Sequence, residues 1–228
     1  MKFRCLVLFS IVIIQQQALN GQSIDSLEIN YRLKFSNEQL AIPVGLIASG
    51  LITNRNKSES LKNEIVEERN KHLAKFHTPV DNYLQFAPYA IAYGLDFAGI
   101  KSKTDISNRT AIMIKSELLM MGTVSLLKYS TAQLRPDGTA HNSFPSGHTA
   151  QAFAAATFLS EEYKHRFKWM PYVSYGIASG VGLLRMANNR HYISDVLLGA
   201  GIGILTTKVT YWTHQYKWGR KNAEPPKF

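Results

Sequence analysis

The sequence predicts an all-α fold: a helical bundle embedded in a membrane, with five to six apolar helices and one amphipathic helix. Apolar segments follow one another between short polar links, and no stretch alternates apolar and polar residues as a strand would. Some of the links are basic, and the others are rich in residue types common in active sites. A soluble bundle has no reason to separate these two kinds of link. The apolar segments occupy residues 82–100, 111–127, 149–162, 169–184 and 193–213.

A soluble bundle remains the alternative, because the mean hydropathy of −0.14 is low for a membrane protein. The net charge of +10 suits an anionic partner: a phosphate ester, an acidic lipid headgroup or nucleic acid. No basic stripe is interleaved with stacking aromatic residues, so nucleic acid is not expected as a partner. The oligomeric state is left open.

The N-terminus has the layout of a secretory signal peptide. Lys2 and Arg4 precede an apolar run over residues 5–14, and small and polar residues follow at 18–21. We therefore predict a signal peptide over residues 1–22 and one helical domain over residues 23–228. An uncleaved N-terminal anchor is the alternative, and both versions send the chain into the export pathway.

Two further segments precede the five apolar ones. Residues 40–53 are apolar but too few to span an average bilayer, so we expect a packed or re-entrant helix. Residues 57–76 are charged on most sides and carry apolar residues at helical spacing. They predict an amphipathic helix that lies on a membrane surface or over the site, or else a surface helix packed on the core.

Basic residues concentrate in the links 101–109 and 163–168 and in the tail 217–227. Cytoplasmic loops of membrane proteins carry such an excess of Lys and Arg. If an exported chain crosses the membrane five times, each of these basic stretches falls on the cytoplasmic side. The links with catalytic residue types then face the periplasm, which predicts a bacterial inner-membrane protein with a periplasmic site. A soluble periplasmic protein is the alternative.

The first polar cluster is Pro145-Ser146-Gly147-His148 at the start of an apolar segment. Serine is a preferred N-cap, and glycine lets a ligand approach the backbone. Unpaired N–H groups and the helix dipole make such an end a binding site for phosphate. A histidine two residues after the cap can reach the bound group.

Two more polar clusters flank the first. Lys128 and Arg135 are seven residues apart and predict one face of a helix that Pro136 ends. Downstream, Arg185, His191 and Asp195 follow at intervals of six and four residues. On a helix, Asp195 would lie beside His191 and fix its tautomer, so that the other ring nitrogen can attack.

The remaining histidines show no pairing pattern, and we expect them at the surface; they are His72, His77, His141, His165 and His214, of which His141 is near enough in sequence to line the pocket. A metal site is not expected, because three Lys and Arg residues in one pocket would repel a cation. Taken singly, a capped helix, an interfacial cation or a His–Asp pair is common, but all three in this order are not.

Together the clusters resemble the three-part signature of the type 2 phosphatidic acid phosphatase superfamily, over Lys128 to Asp195 by motif. One residue departs from the signature: Leu184 stands where a serine often precedes the third-motif arginine. The superfamily contains membrane lipid phosphatases, soluble class A acid phosphatases and vanadium haloperoxidases. A haloperoxidase is therefore a further alternative, since vanadate has the shape and charge of phosphate.

The resemblance implies a metal-independent phosphatase that needs no cofactor. His191 would be the nucleophile that forms a phosphohistidine, Asp195 would orient it, and His148 would protonate the leaving group. The phosphate would be bound by Lys128, Arg135, Arg185, Ser146 and Gly147. The expected partner is a phosphorylated lipid such as phosphatidic acid, phosphatidylglycerol phosphate, a polyprenyl pyrophosphate or lipid A. A soluble non-specific acid phosphatase and a non-catalytic phosphate-binding membrane protein are the other hypotheses.

Overall fold

The prediction of an all-helical fold is confirmed. The computed structural model describes residues 35–54 and 60–215, and within them it contains helices, turns and loops but no strand. The signal peptide predicted for residues 1–22 and the basic tail at 217–227 lie outside the described residues. The helices of the described part are α1 (Glu38–Thr53), α2 (Leu61–His72), α3 (Val80–Leu84), α4 (Ala87–Phe97), α5 (Ile106–Thr131), α6 (Gly147–Tyr163), α7 (Met170–Ala187) and α8 (Ile193–Thr213).

Helix α8 lies at the centre of the bundle and packs against α1, α5 and α6. Its glycines permit this packing. A Cβ atom added at Gly199 would lie 2.6 Å from the carbonyl oxygen of Ser146, and one at Gly201 would lie 2.7 Å from that of Pro43 in α1. Small residues let two helix backbones approach closely in just this way. Segment 40–53 is therefore a helix packed on the core.

The bundle has two chemically different ends. Helices α5 and α7 end, and α6 and α8 begin, at the end that carries the three polar clusters. At the other end, the link 101–105 is tied to α6, because Lys103 N and Thr104 N donate to the backbone and side-chain oxygens of Glu162 at 3.0 and 2.9 Å. Helix α6 has 17 residues, so the two ends are roughly 25 Å apart. The basic links 101–109 and 163–168 lie opposite the polar clusters.

The expectation that Lys128 and Arg135 share one helix is wrong. Helix α5 ends at Thr131, and Ala132 adopts the left-handed conformation with φ of 43°, its N–H donating to the carbonyl of Lys128. Arg135 lies in the following loop. The residue before a proline avoids the helical region, so Pro136 excludes Arg135 from the helix.

The expected surface position of His214 is also wrong. Its side chain is only 2% exposed, and its Nε2 lies 2.9 Å from Asn108 Oδ1.

Segment 82–100 differs from the single helix expected, because a turn at residues 85–86 separates α3 from α4. Of the predicted amphipathic segment 57–76, residues 57–59 lie outside the described part, and α2 ends at His72. The helix reaches the end of the bundle that carries the three polar clusters, where Arg69 Nε donates to the carbonyl of Ala187 at 2.9 Å.

Helices α5 and α8 are each long and apolar enough to cross a membrane, judged by length and composition. Helix α8 is mostly buried inside the bundle, whereas α5 turns much of its apolar surface outward. Many large apolar side chains are exposed, among them Ile42, Val44, Leu51 and Ile52 on α1, Phe97 on α4, Ile114, Leu118, Met121 and Leu126 on α5, and Tyr172, Val173 and Leu183 on α7. Much of the outer surface of the bundle is therefore apolar. The number of apolar helices that cross a membrane stays a prediction.

We expect Gly203→Ala to destabilise the protein, because the added Cβ would overlap the carbonyl oxygen of Ala150 and lie 2.8 Å from Ala154 N. Forcing one carbon into a packed interface costs about 1–3 kcal/mol. Thermal unfolding of purified protein in detergent measures the effect. Gly180→Ala in α7 is the matched control: nothing lies within 4 Å of its added Cβ, so the same substitution should leave stability unchanged or higher. Equal melting temperatures for the two variants would contradict the packing argument.

Candidate active site

The carboxylate of Asp195 organises the start of α8. It is fully buried, and its Oδ2 accepts hydrogen bonds from Ser143 Oγ at 2.5 Å and from Tyr192 N at 3.0 Å. The same oxygen lies 3.3 Å from Nδ1 of His191. His191 precedes the helix, so the pair forms across the helix start and not along a helix face as expected. With Nδ1 held by the carboxylate, Nε2 is the nitrogen available for chemistry.

Burial lowers the pKa of His191 to about 4, against the opposing influence of Asp195 and with a further lowering by the nearby cations Arg185 and Lys128. At neutral pH the imidazole is therefore neutral. A neutral imidazole has a lone pair on one nitrogen, which a nucleophile requires.

The second cluster starts α6 beside the start of α8. Ser146 is the N-cap of α6: its Oγ accepts from the N–H and the hydroxyl of Thr149 at 3.4 and 2.9 Å. Its own N–H donates to the backbone oxygen of Asp195 at 3.0 Å, which ties the two helix starts together. Ser146 is completely buried, so its observed role is structural, and its contact with phosphate stays a prediction.

The packing of side chains around Gly147 does not by itself require a glycine at this position. A Cβ added there would meet only Val124 and Lys128, at 3.8 and 3.9 Å, which are ordinary contact distances. A requirement for glycine at this position would thus come from a ligand that approaches the N–H group, as in other anion sites at helix starts.

The three predicted cations lie near the two histidines of the site, since the charges of Arg185 and Lys128 act on His191 and that of Arg135 acts on His148. Nε of Arg135 and Nε of Arg185 are buried and have no hydrogen-bond partner within the described residues, while Nζ of Lys128 donates to the carbonyl of Asn142. Burial, together with the positive charges of Arg185 and Arg190, lowers the pKa of Arg135. Buried unpaired donors are rare in proteins, and charged donors favour phosphate oxygens as acceptors.

The sequence analysis missed several residues at the site, and two of them lie on the short helix α3. Asp81 is 1% exposed and accepts from Arg185 at 2.7 Å through Oδ2 and from Asn188 at 3.1 Å through Oδ1. Asn82 Oδ1 lies 2.9 Å from Nε2 of His148. Burial, followed by the charge of Arg185, lowers the pKa of His148 to about 4, while Asp81 opposes the shift.

Helix α2 adds a further cation near Asp195. Lys62 is 4% exposed, donates to Asn54 Oδ1 at 3.1 Å and lies 5.1 Å from the centre of the Tyr192 ring. Burial lowers its pKa, and the charge of Asp195 opposes that shift. The start of α2 therefore lies over the candidate site, which is one of the positions predicted for the amphipathic helix.

Comparison with known proteins identifies the family. The model of the PAP2 superfamily matches residues 109–219, a stretch that includes all three polar clusters. This part of the chain belongs to the PAP2 superfamily. The family predicted from the sequence motifs is therefore confirmed.

Two relatives have names that refer to lipids. A protein of Porphyromonas gingivalis named lipid A 1-phosphatase is 38% identical over 183 residues, which are 80% of this chain and 40% of the relative. A protein of Schizosaccharomyces pombe named probable diacylglycerol pyrophosphate phosphatase 1 is 36% identical over 80 residues, which are 30% of this chain and 29% of the relative. The chain thus spans well under half the length of these relatives.

The crystal structure of LpxE from Aquifex aeolicus resembles the fold. The two structures align with a TM-score of 0.51 at 24% sequence identity, over 68% of this chain and 97% of the other. This likeness concerns the arrangement of helices.

We expect inorganic phosphate to stabilise the protein by binding to the cations of the site. A ligand present at about 100 times its dissociation constant raises the free energy of unfolding by about 2.7 kcal/mol. Arg135→Leu should lose most of this stabilisation, measured as the shift in melting temperature over a phosphate titration. Arg166→Leu, at an exposed position beyond the other end of the bundle, is the control and should keep the full shift. Equal shifts in the two variants would show that phosphate binds elsewhere.

Proposed function

We propose that the chain is a membrane lipid phosphatase that transfers phosphate to His191 and then to water. The observation that supports this most directly is the pairing of His191 Nδ1 with the buried Asp195, beside arginines whose Nε atoms lack partners. Such a site offers a nucleophile and the neutralising charge that phosphoryl transfer needs. A site that only binds phosphate would need the cations but not an oriented, neutral histidine.

In the first step, Arg135, Arg185 and Lys128 hold the phosphate oxygens, helped by the N–H of Gly147. Arginine can bind two oxygens with its planar fork, whereas lysine acts as a point charge. Nε2 of His191 attacks phosphorus as the bond to the lipid oxygen breaks. The electron pair of that bond stays with the lipid oxygen, which takes a proton from His148.

In the second step, a water molecule gives a proton to His148 while its oxygen attacks the phosphohistidine. The phosphorus–nitrogen bond breaks, its electron pair returns to His191, and inorganic phosphate leaves. The low pKa of His148 belongs to the site without substrate. The negative charge of a bound phosphate favours the imidazolium, so the substrate itself would help to protonate the acid.

Two observations favour a lipid as the substrate: the apolar outer surface of the bundle and the names of the relatives. Apolar side chains cover α1, α5 and α7 outside the bundle, as suits a protein that meets its substrate in a membrane. Both curated relatives carry names that refer to phosphorylated lipids. Among the candidates from the sequence analysis, the 38% identity to the P. gingivalis protein makes lipid A the first to test.

We further propose the bacterial inner membrane as the location, with the site at the periplasmic face. The basic links 101–109 and 163–168 lie at the end of the bundle opposite His191, and positive charge favours the cytoplasmic side. The predicted signal peptide is consistent with export.

The nucleophile assignment predicts that His191→Ala abolishes turnover while the protein keeps its elution volume and melting behaviour in detergent. Brief incubation of the wild type with substrate labelled in the phosphate should give an acid-labile, alkali-stable label on His191. His165→Ala, an exposed histidine in the basic link, is the control and should keep both turnover and labelling. Label retained in His191→Ala would place the covalent step on another residue.

The substrate class is tested with purified protein in detergent, by phosphate release from lipid A, phosphatidic acid, phosphatidylglycerol phosphate and p-nitrophenyl phosphate. We expect a higher kcat/KM for a lipid than for the small ester, and unchanged rates in EDTA because the cationic pocket repels metal ions. Preference for the small ester, together with release of the protein by osmotic shock, would instead indicate a soluble acid phosphatase.

A further inference from the structure

The two histidines of the site have partners of different charge. His191 is held by the carboxylate of Asp195, whereas His148 is held by the side-chain amide of Asn82, with 2.9 Å between Oδ1 and Nε2. Asn82 lies outside the three motifs, 66 residues before its partner. Nothing in the catalytic roles derived above uses this residue.

The backbone that carries Asn82 is fixed by neighbouring contacts. Thr78 exchanges two hydrogen bonds of 2.9 Å with the side chain of Asn188, which also donates to Asp81. Asp81 in turn forms a 2.7 Å ion pair with Arg185. Helix α3 is thus anchored to the end of α7, so the amide of Asn82 meets the imidazole from a fixed position.

We infer that Asn82 is a positioning residue that fixes the tautomer and orientation of His148; the inference rests on the proposed function. Because the amide oxygen can only accept, it binds the protonated form of Nε2. Nδ1 is then the nitrogen that exchanges a proton with the leaving group and with water. This assignment is opposite to that of His191, which works through Nε2.

The difference in charge between the partners matches the difference in task. His191 gains positive charge when it bonds to phosphorus, and a carboxylate stabilises that charge. His148 must release its proton to the leaving oxygen, and a carboxylate would hold the proton too firmly. A neutral amide orients the ring without this cost. The charged and titratable groups that act on His148 are otherwise Arg185, Asp81, His191 and Arg135.

The inference is tested by the dependence of kcat/KM on the acidity of the leaving group, using phenyl phosphates with different substituents and an alkyl phosphate. General acid catalysis contributes about 10²–10⁴-fold and matters most for poor leaving groups. We expect Asn82→Ala to lower kcat/KM for the alkyl phosphate on the order of a hundredfold and for p-nitrophenyl phosphate less than about fivefold. Tyr83→Ala, at a 78% exposed position on the same helix, is the control and should match the wild type.

Asn82→Asp separates positioning from packing. It keeps an oxygen acceptor and so still orients the ring, but its negative charge holds the proton more firmly. It should therefore lose less turnover of the alkyl phosphate than Asn82→Ala, and the alkaline limb of its pH profile should move upward. Equal losses for all leaving groups in Asn82→Ala, or no loss at all, would overturn the inference. His148→Ala distinguishes it from the proposed function. If His148→Ala loses the same factor in kcat/KM on good and on poor leaving groups, His148 is not the acid and the proposed mechanism itself fails.

Discussion

The hydrogen bonds of the buried Asp195 carboxylate hold together the end of the bundle that carries the three polar clusters. Its side chain binds His191, Ser143 and the N–H of Tyr192, and its backbone oxygen accepts from Ser146. One residue therefore orients the proposed nucleophile, completes the cap of α8 and ties the start of α6 to that of α8. A carboxylate in the first turn is also favoured by the helix dipole, so local and tertiary preferences agree at this position.

The close approach of α6 and α8 is what brings these groups together. The hydrogen bond from Ser146 to Asp195 requires the two helix starts to lie side by side, and Gly199 leaves room for the carbonyl of Ser146 at that point. A larger residue in α8 would push the helix starts apart. The glycines of α8 thus act on the chemistry through packing, although none of them belongs to the three motifs.

The sequence could predict the parts of the site that are local. Ser146 as an N-cap and Asp195 as the partner of His191 follow from short spacings, and both contacts are present. Asp81 could not be found in this way, because 104 residues separate it from Arg185 and only tertiary packing joins them. The end of α5 was misjudged for another reason. Pro136 shows where a helix cannot continue, whereas the left-handed turn at Ala132 that ends it has no glycine to mark it.

A contact between distant residues, that of Asp81 with Arg185, also helps the fold to tolerate the positive charges of the site. Two arginines and a lysine carry like charges in one site, and such charges repel one another: the charge of Arg185 lowers the pKa of Arg135. Asp81 neutralises only Arg185, and Nε of both arginines stays unpaired within the described residues. Full neutralisation by carboxylates would stabilise the empty site but leave nothing for a dianion to gain. Under the proposed function, the phosphate group of the substrate would be the missing counter-ion, and its binding would supply the stabilisation that the empty site lacks.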